Sequence, residues 1–232
     1  LDVLVHPVSE EGGRCTHAVW SARDVTEARR ATDFISSQLA EKEVLLREIH
    51  HRVKNNLQIV LSLLALQEQT SESAALSEML TKSRSRIAAM ALVHEQLYSS
   101  ENLAEVDLGA YARSLMSSLG ASIGAAEQGI EFSVRGEGFA LEIDRAIPSG
   151  LVLNELLTNA LKHAFPDGRR GVISISFEET PDAHEVRVRD DGVGMSPASP
   201  DGLGLFLLPR LVAQIGATLE REPVAGTAML LR

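Results

Sequence analysis

The sequence predicts an α+β fold in which a short N-terminal β-hairpin and a long antiparallel helical hairpin precede an α/β sandwich. No glycine or proline occurs between Thr26 and Gln67, which favours one long helix. After about residue 101, short alternating runs and glycine-rich turns indicate strands and connecting helices. The length of 232 residues corresponds to roughly one and a half domains. We expect domain boundaries at 1–27, 28–100 and 101–232.

The first 27 residues alternate as two short β-strands around a turn. Valines precede Gly12-Gly13, and a second β-prone run ending at Trp20 follows. A Gly-Gly pair between such runs is typical of a hairpin. Since two strands alone are not a stable unit, the segment is expected to be the remainder of a larger domain. An unrelated β-hairpin is the alternative.

Two apolar stripes predict the helical hairpin. The first runs from Leu45 to Leu64 and the second from Leu76 to Leu97, each at spacings of three and four. Such stripes are typical of long helices that pack on one another. Either Thr26 or Asp33 is a candidate N-cap of the first helix.

The remaining sequence indicates a mixed or antiparallel sheet covered by helices. Turn residues Phe165-Pro166-Asp167-Gly168 end the strongest of the apolar helices, and a glycine-rich stretch follows the central strands. We expect helices at 108–123, 147–164 and 206–215, and strands at 130–135, 172–177, 185–189, 218–222 and 227–231.

Composition excludes several classes of protein. The net charge is −10, from 22 basic and 32 acidic residues, which argues against a broad basic face for nucleic acid or an anionic membrane. A single cysteine, Cys15, excludes a disulfide framework and a cysteine zinc cluster. No apolar run approaches the ~20 residues of a transmembrane helix, and no signal peptide is visible. We therefore expect an acidic cytoplasmic protein.

A pair of histidines on the first long helix carries the first candidate site. With ~100° per residue, His51 lies almost opposite the apolar stripe, whereas His50 lies on its flank. Glu48 and Asn55 share the face of His51. His51 is either part of an ordinary solvated face or a reactive imidazole. In the second case Glu48 would fix the ring tautomer, and Asn55 would orient a phosphoryl group or a water. Metal binding by adjacent helical histidines is disfavoured.

A second cluster lies on the apolar helix at 147–164. Glu155, Asn159 and Lys162, or His163 in place of Lys162, fall on one face of this helix. A carboxylate, an amide oxygen and a cation in one column suit Mg²⁺ and polyphosphate. The alternative is a charged edge that is merely exposed.

Glycine motifs follow at the ends of strands. Asp190 ends one strand and suits an exocyclic amine of adenine, while Gly192 and Gly194 permit close approach of a ligand. Gly202 and Gly204 lead into a helix whose N–H groups suit phosphate, and Gly226-Thr227 precedes the final strand. Each motif alone also fits an ordinary turn. The spacing excludes a dinucleotide-binding fingerprint, and there is no P-loop.

The order of these motifs resembles the sensor histidine kinases with a Bergerat-type ATP domain, the fold shared by gyrase, heat-shock and mismatch-repair ATPases. Glu155 and Asn159 match the N box, and the glycine motifs, with Thr227, match the three G boxes. His51-Arg52-Val53-Lys54-Asn55 matches the HRxxN acceptor pattern of the HWE-like subfamily, and His94-Glu95-Gln96-Leu97-Tyr98 is also similar to it. Asp24-Val25-Thr26 resembles the motif that ends PAS-type sensor domains.

The resemblance departs from the family pattern at two places. An acidic residue commonly follows the acceptor histidine, whereas Arg52 does so here. The W-x-E of strict HWE members is missing, since Trp20 is the only tryptophan. The residue that assists His51 is therefore left open.

The resemblance implies an ATP-dependent protein-histidine kinase that phosphorylates His51 and passes the phosphoryl group to an aspartate of a response regulator receiver domain. ATP and Mg²⁺ are the implied cofactors, with Mg²⁺ held by Asn159 and Glu155, and Glu155 is also the candidate general base. Any sensor chromophore would lie outside this chain. The ATP domain would swing towards His51 about a hinge near 99–105.

Three questions stay open at this stage. The helical hairpin either forms a four-helix homodimer or has its stripe covered within one chain. A non-catalytic ATP-binding adaptor and an anti-sigma-type serine kinase with the same ATP fold are the rival functions. The stimulus cannot be read from the sequence.

Overall fold

The computed structural model describes residues 2–9, 15–99, 105–181, 183–194 and 203–232. Clustering of the backbone divides the chain into two compact units, Leu1–Leu46 and Arg47–Arg232. The boundary falls inside the first helix and does not coincide with the expected boundaries at 27 and 100, which stay predictions. Within the described ranges, no helix is both long and apolar enough to cross a bilayer.

The N-terminal unit contains the predicted β-hairpin. Strand β1 (Asp2–Ser9) pairs antiparallel with β2 (Cys15–Arg23). The predicted Gly12-Gly13 turn lies outside the described residues. Helix α1 (Thr26–Gln69) follows at once. Thr26 is the first residue of the helix and Asp33 lies inside it, so neither is the N-cap, and Asp24 Oδ1 accepts the Thr26 N–H at 2.9 Å.

The helical hairpin is confirmed. Helix α2 (Ala74–Ser99) follows α1 after a four-residue polar connection at 70–73. Glu68 joins the two helices by accepting hydrogen bonds from Thr81 and Arg84. Towards the other end, Lys54 donates to Glu95 at 2.7 Å.

Much of the first apolar stripe is uncovered, which corrects the expectation that it packs on the second helix. Val53, Leu57 and Leu64 are half-buried, but Ile49 is 54% exposed. The reason is that only the flank of the stripe faces α2. Further large apolar side chains on the hairpin are also exposed, namely Ile59, Val60, Leu63, Leu66, Leu76 and Met79.

The C-terminal sandwich agrees with the predicted α+β fold. Asp107 caps its first helix by accepting the N–H groups of Gly109 at 2.8 Å and Ala110 at 3.0 Å. The elements are β3 (Glu105–Asp107), α3 (Leu108–Ile123), α4 (Ala125–Gln128), β4 (Ile130–Arg135), β5 (Ala140–Glu142), α5 (Ile143–His163), β6 (Gly171–Glu179), β7 (His184–Asp190), α6 (Leu203–Gln214), β8 (Leu219–Glu222) and β9 (Thr227–Leu231).

The main sheet has the strand order β4-β6-β7-β9-β8 and is mixed. Strands β4 and β6 run parallel, and the other pairs are antiparallel. Strands β3 and β5 form a separate two-stranded sheet. The register places Asp190, the last residue of β7, opposite Thr227, the first residue of β9. The ends of two neighbouring strands therefore meet at one edge of the sheet.

Helix α2 belongs to the core of the sandwich as well as to the hairpin. Ala89, Val93 and Leu97 are each at most 1% exposed and cluster with residues of α3, α5 and the sheet. The Tyr111 hydroxyl, which is buried in α3, donates to the Ala89 carbonyl at 3.3 Å, and burial raises the pKa of Tyr111. One face of α2 is thus packed against the helices of the sandwich.

Three features differ from the sequence prediction. Helix α5 begins at Ile143, four residues before the predicted start, with Pro148 inside it. The prediction placed Pro148 in the first turn, where proline is best tolerated. Strands β3 and β5 were not predicted because they have only three residues each. Nor was the four-residue helix α4.

Candidate functional site

His51 projects from the exposed face of α1, as the helical wheel predicts, and His50 is partly buried. The Nδ1 atom of His51 lies 3.2 Å from the side-chain nitrogen of Asn55, one turn along the helix. The structure thus brings Asn55 to the ring of His51, whereas the sequence analysis assigned Asn55 to a phosphoryl group or a water. That expected role stays a prediction.

The carboxylate of Glu48 pairs with Arg52, one turn along the helix. Arg52 Nε donates to Glu48 Oε1 at 2.7 Å. This hydrogen bond and the charge of Arg52 lower the pKa of Glu48, and the interaction with His51 lowers it further. The expectation that Glu48 fixes the tautomer of His51 stays a prediction, and the same carboxylate also holds Arg52. The pairing also gives Arg52, which follows the acceptor, a local partner.

His50 and His94 form a contact between α1 and α2 that the sequence analysis did not anticipate. Their Nδ1 atoms lie 3.3 Å apart. Burial lowers the pKa of His94, and the charge of His50 lowers it further. At most one of the two Nδ1 atoms can carry a proton in such a contact. The motif His94-Glu95 was visible in the sequence, but its partner on α1 was not.

The second cluster lies on α5, and its members line one cleft of about 1300 Å³. Asn159, Lys162 and His163 are exposed at the C-terminal end of the helix, whereas Glu155 is buried. Lys162 Nζ lies 3.6 Å from Glu78 on α2. Among groups described in the structure, no three of His, Cys, Asp or Glu are placed to hold a metal ion together.

Glu155 is engaged by a residue that sequence reasoning missed. Arg86 on α2 donates to both Glu155 oxygens, from Nε at 2.6 Å and from Nη2 at 3.1 Å. Beside this pair, Ser85 donates to Asn154 Oδ1 at 3.0 Å. The signal in the sequence was the spacing of Arg86, Ala89 and Val93, which places Arg86 on the face of α2 that packs against α5.

Asp190 lies buried at the edge of the sheet where two strands end. Its Oδ1 accepts the N–H groups of Gly192 at 3.0 Å and Thr227 at 3.2 Å. Asp190, Gly194 and Thr227 line the same cleft as Asn159. Backbone donors thus fix one carboxylate oxygen of Asp190, and the carboxylate as a whole is oriented towards the cleft. The predicted grouping of Asp190 with Thr227 is present.

Gly192 allows close packing of the backbone, and its expected role in the approach of a ligand stays a prediction. A Cβ atom at Gly192 would lie 2.3 Å from the Ala164 carbonyl oxygen. Gly194 has a φ of 79°, a conformation that favours glycine. In the second motif, Gly202 lies outside the described residues, and Gly204 is the second residue of α6. The predicted hinge at 99–105 also lies mostly outside them.

The cleft also brings the helical hairpin next to the nucleotide cluster. Lys54, Gln58 and Leu61, which follow His51 on α1, line the same cleft as Asn159 and Asp190. The helix that carries the exposed imidazole therefore forms one wall of the cleft. Glu155, Asn159 and Lys162 of α5 line the same cleft.

Comparison with known families identifies the class of protein that combines such a helical hairpin with such a cleft. A family model described as histidine kinase matches residues 48–123, and one described as histidine kinase-, DNA gyrase B-, and HSP90-like ATPase matches residues 146–232. The chain belongs to the histidine kinases. Both matched segments agree with the resemblance inferred from the acceptor motif and the N and G boxes.

Two curated relatives and one solved structure support this assignment. The sensor histidine kinase PdtaS of Mycolicibacterium smegmatis is 34% identical over 229 residues, which is 95% of this histidine kinase chain and 45% of the relative. Blue-light-activated histidine kinase 2 of Erythrobacter litoralis is 28% identical over 231 residues, 94% of this chain and 63% of the relative. The chain thus spans less than half the length of PdtaS.

The solved structure is the histidine kinase domain of a blue-light-activated histidine kinase from Erythrobacter litoralis. It superposes with a TM-score of 0.58 at 27% identity, over 83% of this chain and 94% of that domain. Helical hairpin and sandwich are therefore shared with a histidine kinase domain.

Proposed function

We propose that this chain is the kinase core of a sensor histidine kinase, which phosphorylates His51 from Mg-ATP and passes the phosphoryl group to an aspartate of a receiver domain. One observation carries the proposal. An exposed imidazole, contacted by Asn55, stands on the helix that also forms one wall of the cleft containing Asn159 and Asp190. The proposed acceptor therefore stands on a helix that borders the proposed nucleotide site.

The residues of the cleft fit ATP. Asp190 presents a buried carboxylate that can accept the exocyclic amine of adenine, and Thr227 supports its orientation. Lys162 and His163 provide positive charge for phosphate at the exposed end of α5. Gly202 and Gly204 are proposed to add backbone N–H groups. Asn159, with Glu155 through water, would hold Mg²⁺, which neutralises charge on the phosphates when bound.

His51 is the proposed nucleophile. A neutral imidazole nitrogen would form a bond to the γ-phosphorus while the bond to the ADP oxygen breaks, so that ADP leaves. The nitrogen must lose any proton it carries, and Glu155 is the candidate base. Because His51 itself does not line the cleft, we expect the ATP domain to move relative to α1 about residues 99–105.

An exposed apolar face of α1, beside the predicted stripe, supports a homodimer. Ile59, Leu63 and Leu66 lie on one face of α1, at spacings of four and three, and are each at least 56% exposed. A contiguous apolar face of this kind is typical of a protein interface. A second copy would cover it by forming a four-helix bundle. Light scattering that gives one chain per particle at micromolar concentration would contradict the dimer.

Two further roles are proposed for parts of the chain outside the cleft. The hairpin of β1 and β2, with Asp24-Val25-Thr26 after it, is proposed to be the end of a PAS-type sensor domain. The receiver domain would dock near His51, because the phosphoryl group must be reached there. We expect the protein to act in the cytoplasm, where ATP and receiver domains are found.

Incubation with γ-labelled ATP and Mg²⁺ tests the proposal. The expected product is labelled protein whose phosphate is lost in acid and kept in alkali, as phosphohistidine requires. Label that survives acid would indicate a serine kinase of the anti-sigma type. Nucleotide binding without any label would indicate a non-catalytic adaptor.

The Asn159→Asp variant tests the metal part of the proposal. It removes the amide and adds a charge at an exposed position, so the fold is expected to be kept and labelling lost. Normal labelling by this variant would contradict the role in holding Mg²⁺.

A further inference from the structure

Helices α2 and α5 are joined by a charge pair that is shielded from water. The side chains of Arg86 and Glu155 are 15% and 9% exposed, and both carboxylate oxygens accept from the guanidinium. A bidentate pair of this kind is stronger and more directional than an ordinary surface ion pair. Removing either partner would leave the other as an uncompensated buried charge.

Two further contacts extend this junction along the helices. Ser85 donates to Asn154, and Lys162 lies 3.6 Å from Glu78. On α5 the junction consists of Asn154, Glu155 and Lys162. Two of these, Glu155 and Lys162, are also residues proposed to act on Mg-ATP. While α2 is docked, each Glu155 oxygen already accepts a hydrogen bond from the Arg86 guanidinium, which holds the carboxylate against α2.

The junction also contains a defect. Asn154 is 1% exposed, and its Nδ2 has no hydrogen-bond partner within the described part of the chain. An unsatisfied buried donor destabilises the arrangement that creates it. The Arg86–Glu155 pair thus stabilises the docked arrangement, and the unsatisfied Asn154 amide destabilises it. Opposing contributions of this kind keep the free-energy difference between two conformations small.

We propose that Arg86 is a positioning residue that holds the kinase in a resting state by sequestering Glu155. Separation of α2 from α5 at this junction releases the carboxylate. Helix α2 can transmit a change from the helical hairpin to Glu155, because it belongs to the hairpin and also packs against the sandwich. The inference rests on the proposed function, since it takes Glu155 as a residue needed for phosphorylation. It adds a regulatory residue that neither the N box nor the G boxes contain.

Arg86→Gln and Glu155→Gln break the junction from either side, and Arg84→Gln is the matched control. Arg84 lies on the same helix but pairs with Glu68 inside the hairpin. Hydrogen–deuterium exchange of the whole chain without nucleotide is measured over residues 80–90 and 150–158. We expect exchange to become several-fold faster in both junction variants and to stay at the wild-type rate at 150–158 in the control.

Autophosphorylation rates at saturating ATP complete the test. We expect Arg86→Gln to be several-fold faster than wild type, Arg86→Lys to be intermediate, and Glu155→Gln to be slower despite its faster exchange. Circular dichroism checks that Arg86→Gln is folded, and Arg86→Lys, which keeps the charge, replaces it if it is not.

The outcomes separate the two proposals. Unchanged hydrogen–deuterium exchange in both junction variants would overturn the regulatory role of Arg86. Faster exchange with an unchanged or slower autophosphorylation rate in Arg86→Gln would also overturn it. Faster exchange with no phosphohistidine in any form, wild type included, would overturn the proposed function and the regulatory role together, while showing that the pair joins the helices.

Discussion

The side-chain nitrogen of Asn55 lies 3.2 Å from Nδ1 of His51, one turn away on the exposed face of α1. An asparagine can serve the ring in two ways. Its oxygen can accept Nδ1–H, which leaves a lone pair on Nε2, or its NH₂ can donate to Nδ1, which leaves the proton on Nε2. Only the first arrangement presents Nε2 as a ready nucleophile.

Substitution of Asn55 tests this orienting role. Asn55→Ala is expected to lower the autophosphorylation rate about ten-fold, because a hydrogen bond of about 1–1.5 kcal/mol is lost. Asn55→Asp can only accept, so it should impose the Nδ1–H tautomer and retain most of the rate. Rates are measured under single-turnover conditions. Equal rates for Ala and wild type would show that Asn55 does not act on the ring.

Asp190 is expected to control nucleotide affinity with little effect on the fold. In Asp190→Asn the oxygen that accepts from Gly192 and Thr227 can be kept, while the other position becomes an NH₂ group facing the adenine amine. We expect at least about 100-fold weaker ATP binding by calorimetry, since a buried hydrogen bond is replaced by two opposed donors. Asp191→Asn is the matched control, because Asp191 accepts from Val172 N on the exposed side. Equal loss in both variants would contradict the adenine role.

Gly192 is predicted to be required for packing. A Cβ atom there would lie 2.3 Å from the Ala164 carbonyl oxygen and 2.4 Å from Ala164 Cβ. Gly192→Ala should therefore lower the free energy of unfolding by about 2–3 kcal/mol, as overpacking does. Urea denaturation measures it. Gly216→Ala, which meets open space at a φ of 67°, should cost only about 1 kcal/mol. A smaller loss at Gly192 than at Gly216 would contradict this account.

The contact of His50 with His94 predicts a dependence of stability on pH. Burial lowers the pKa of His94 below 6.5, so the unfolded chain binds this proton more readily than the folded one. The contribution of neutral His94 is therefore complete above about pH 6.5 and is lost as the pH falls below it. Other groups titrate in the same range, so the wild type must be compared with His94→Asn.

Urea unfolding at pH 7.5 and 5.5 provides the comparison. The stability advantage of the wild type over His94→Asn should shrink at the lower pH. His50 faces His94 from α1, and the Lys54–Glu95 pair at 2.7 Å joins the same helices in both proteins. An advantage that is equal at both pH values would show that folding does not lower the pKa of His94.

Local patterns accounted for most of the elements. The stretch without glycine or proline predicted α1, and alternation predicted β4 within its observed bounds of Ile130–Arg135. Pro148 misled the prediction of α5, because the first turn is favoured for proline but an interior position is also tolerated when packing compensates. Three-residue strands have too few positions to show alternation.

The site was predictable where its parts share a helix or a motif. His51 with Asn55, and Glu155 with Asn159, follow from spacing along one helix. The partners of these residues from elsewhere did not follow, because the pairing of Arg86 with Glu155 depends on how α2 packs against α5. The close packing of Gly192 against Ala164 did not follow either, because a sequence shows that a side chain is absent but does not show which atoms lie beside that position.

The identity of the acceptor histidine is the central claim, and labelling of two adjacent variants tests it most directly. His51→Gln and His50→Gln are each incubated with γ-labelled ATP and Mg²⁺, and the acid-labile, alkali-stable label is measured. We predict no such label in His51→Gln and substantial label in His50→Gln, because His51 is exposed whereas His50 is packed against His94. Acid-labile label that persists in His51→Gln would contradict the account.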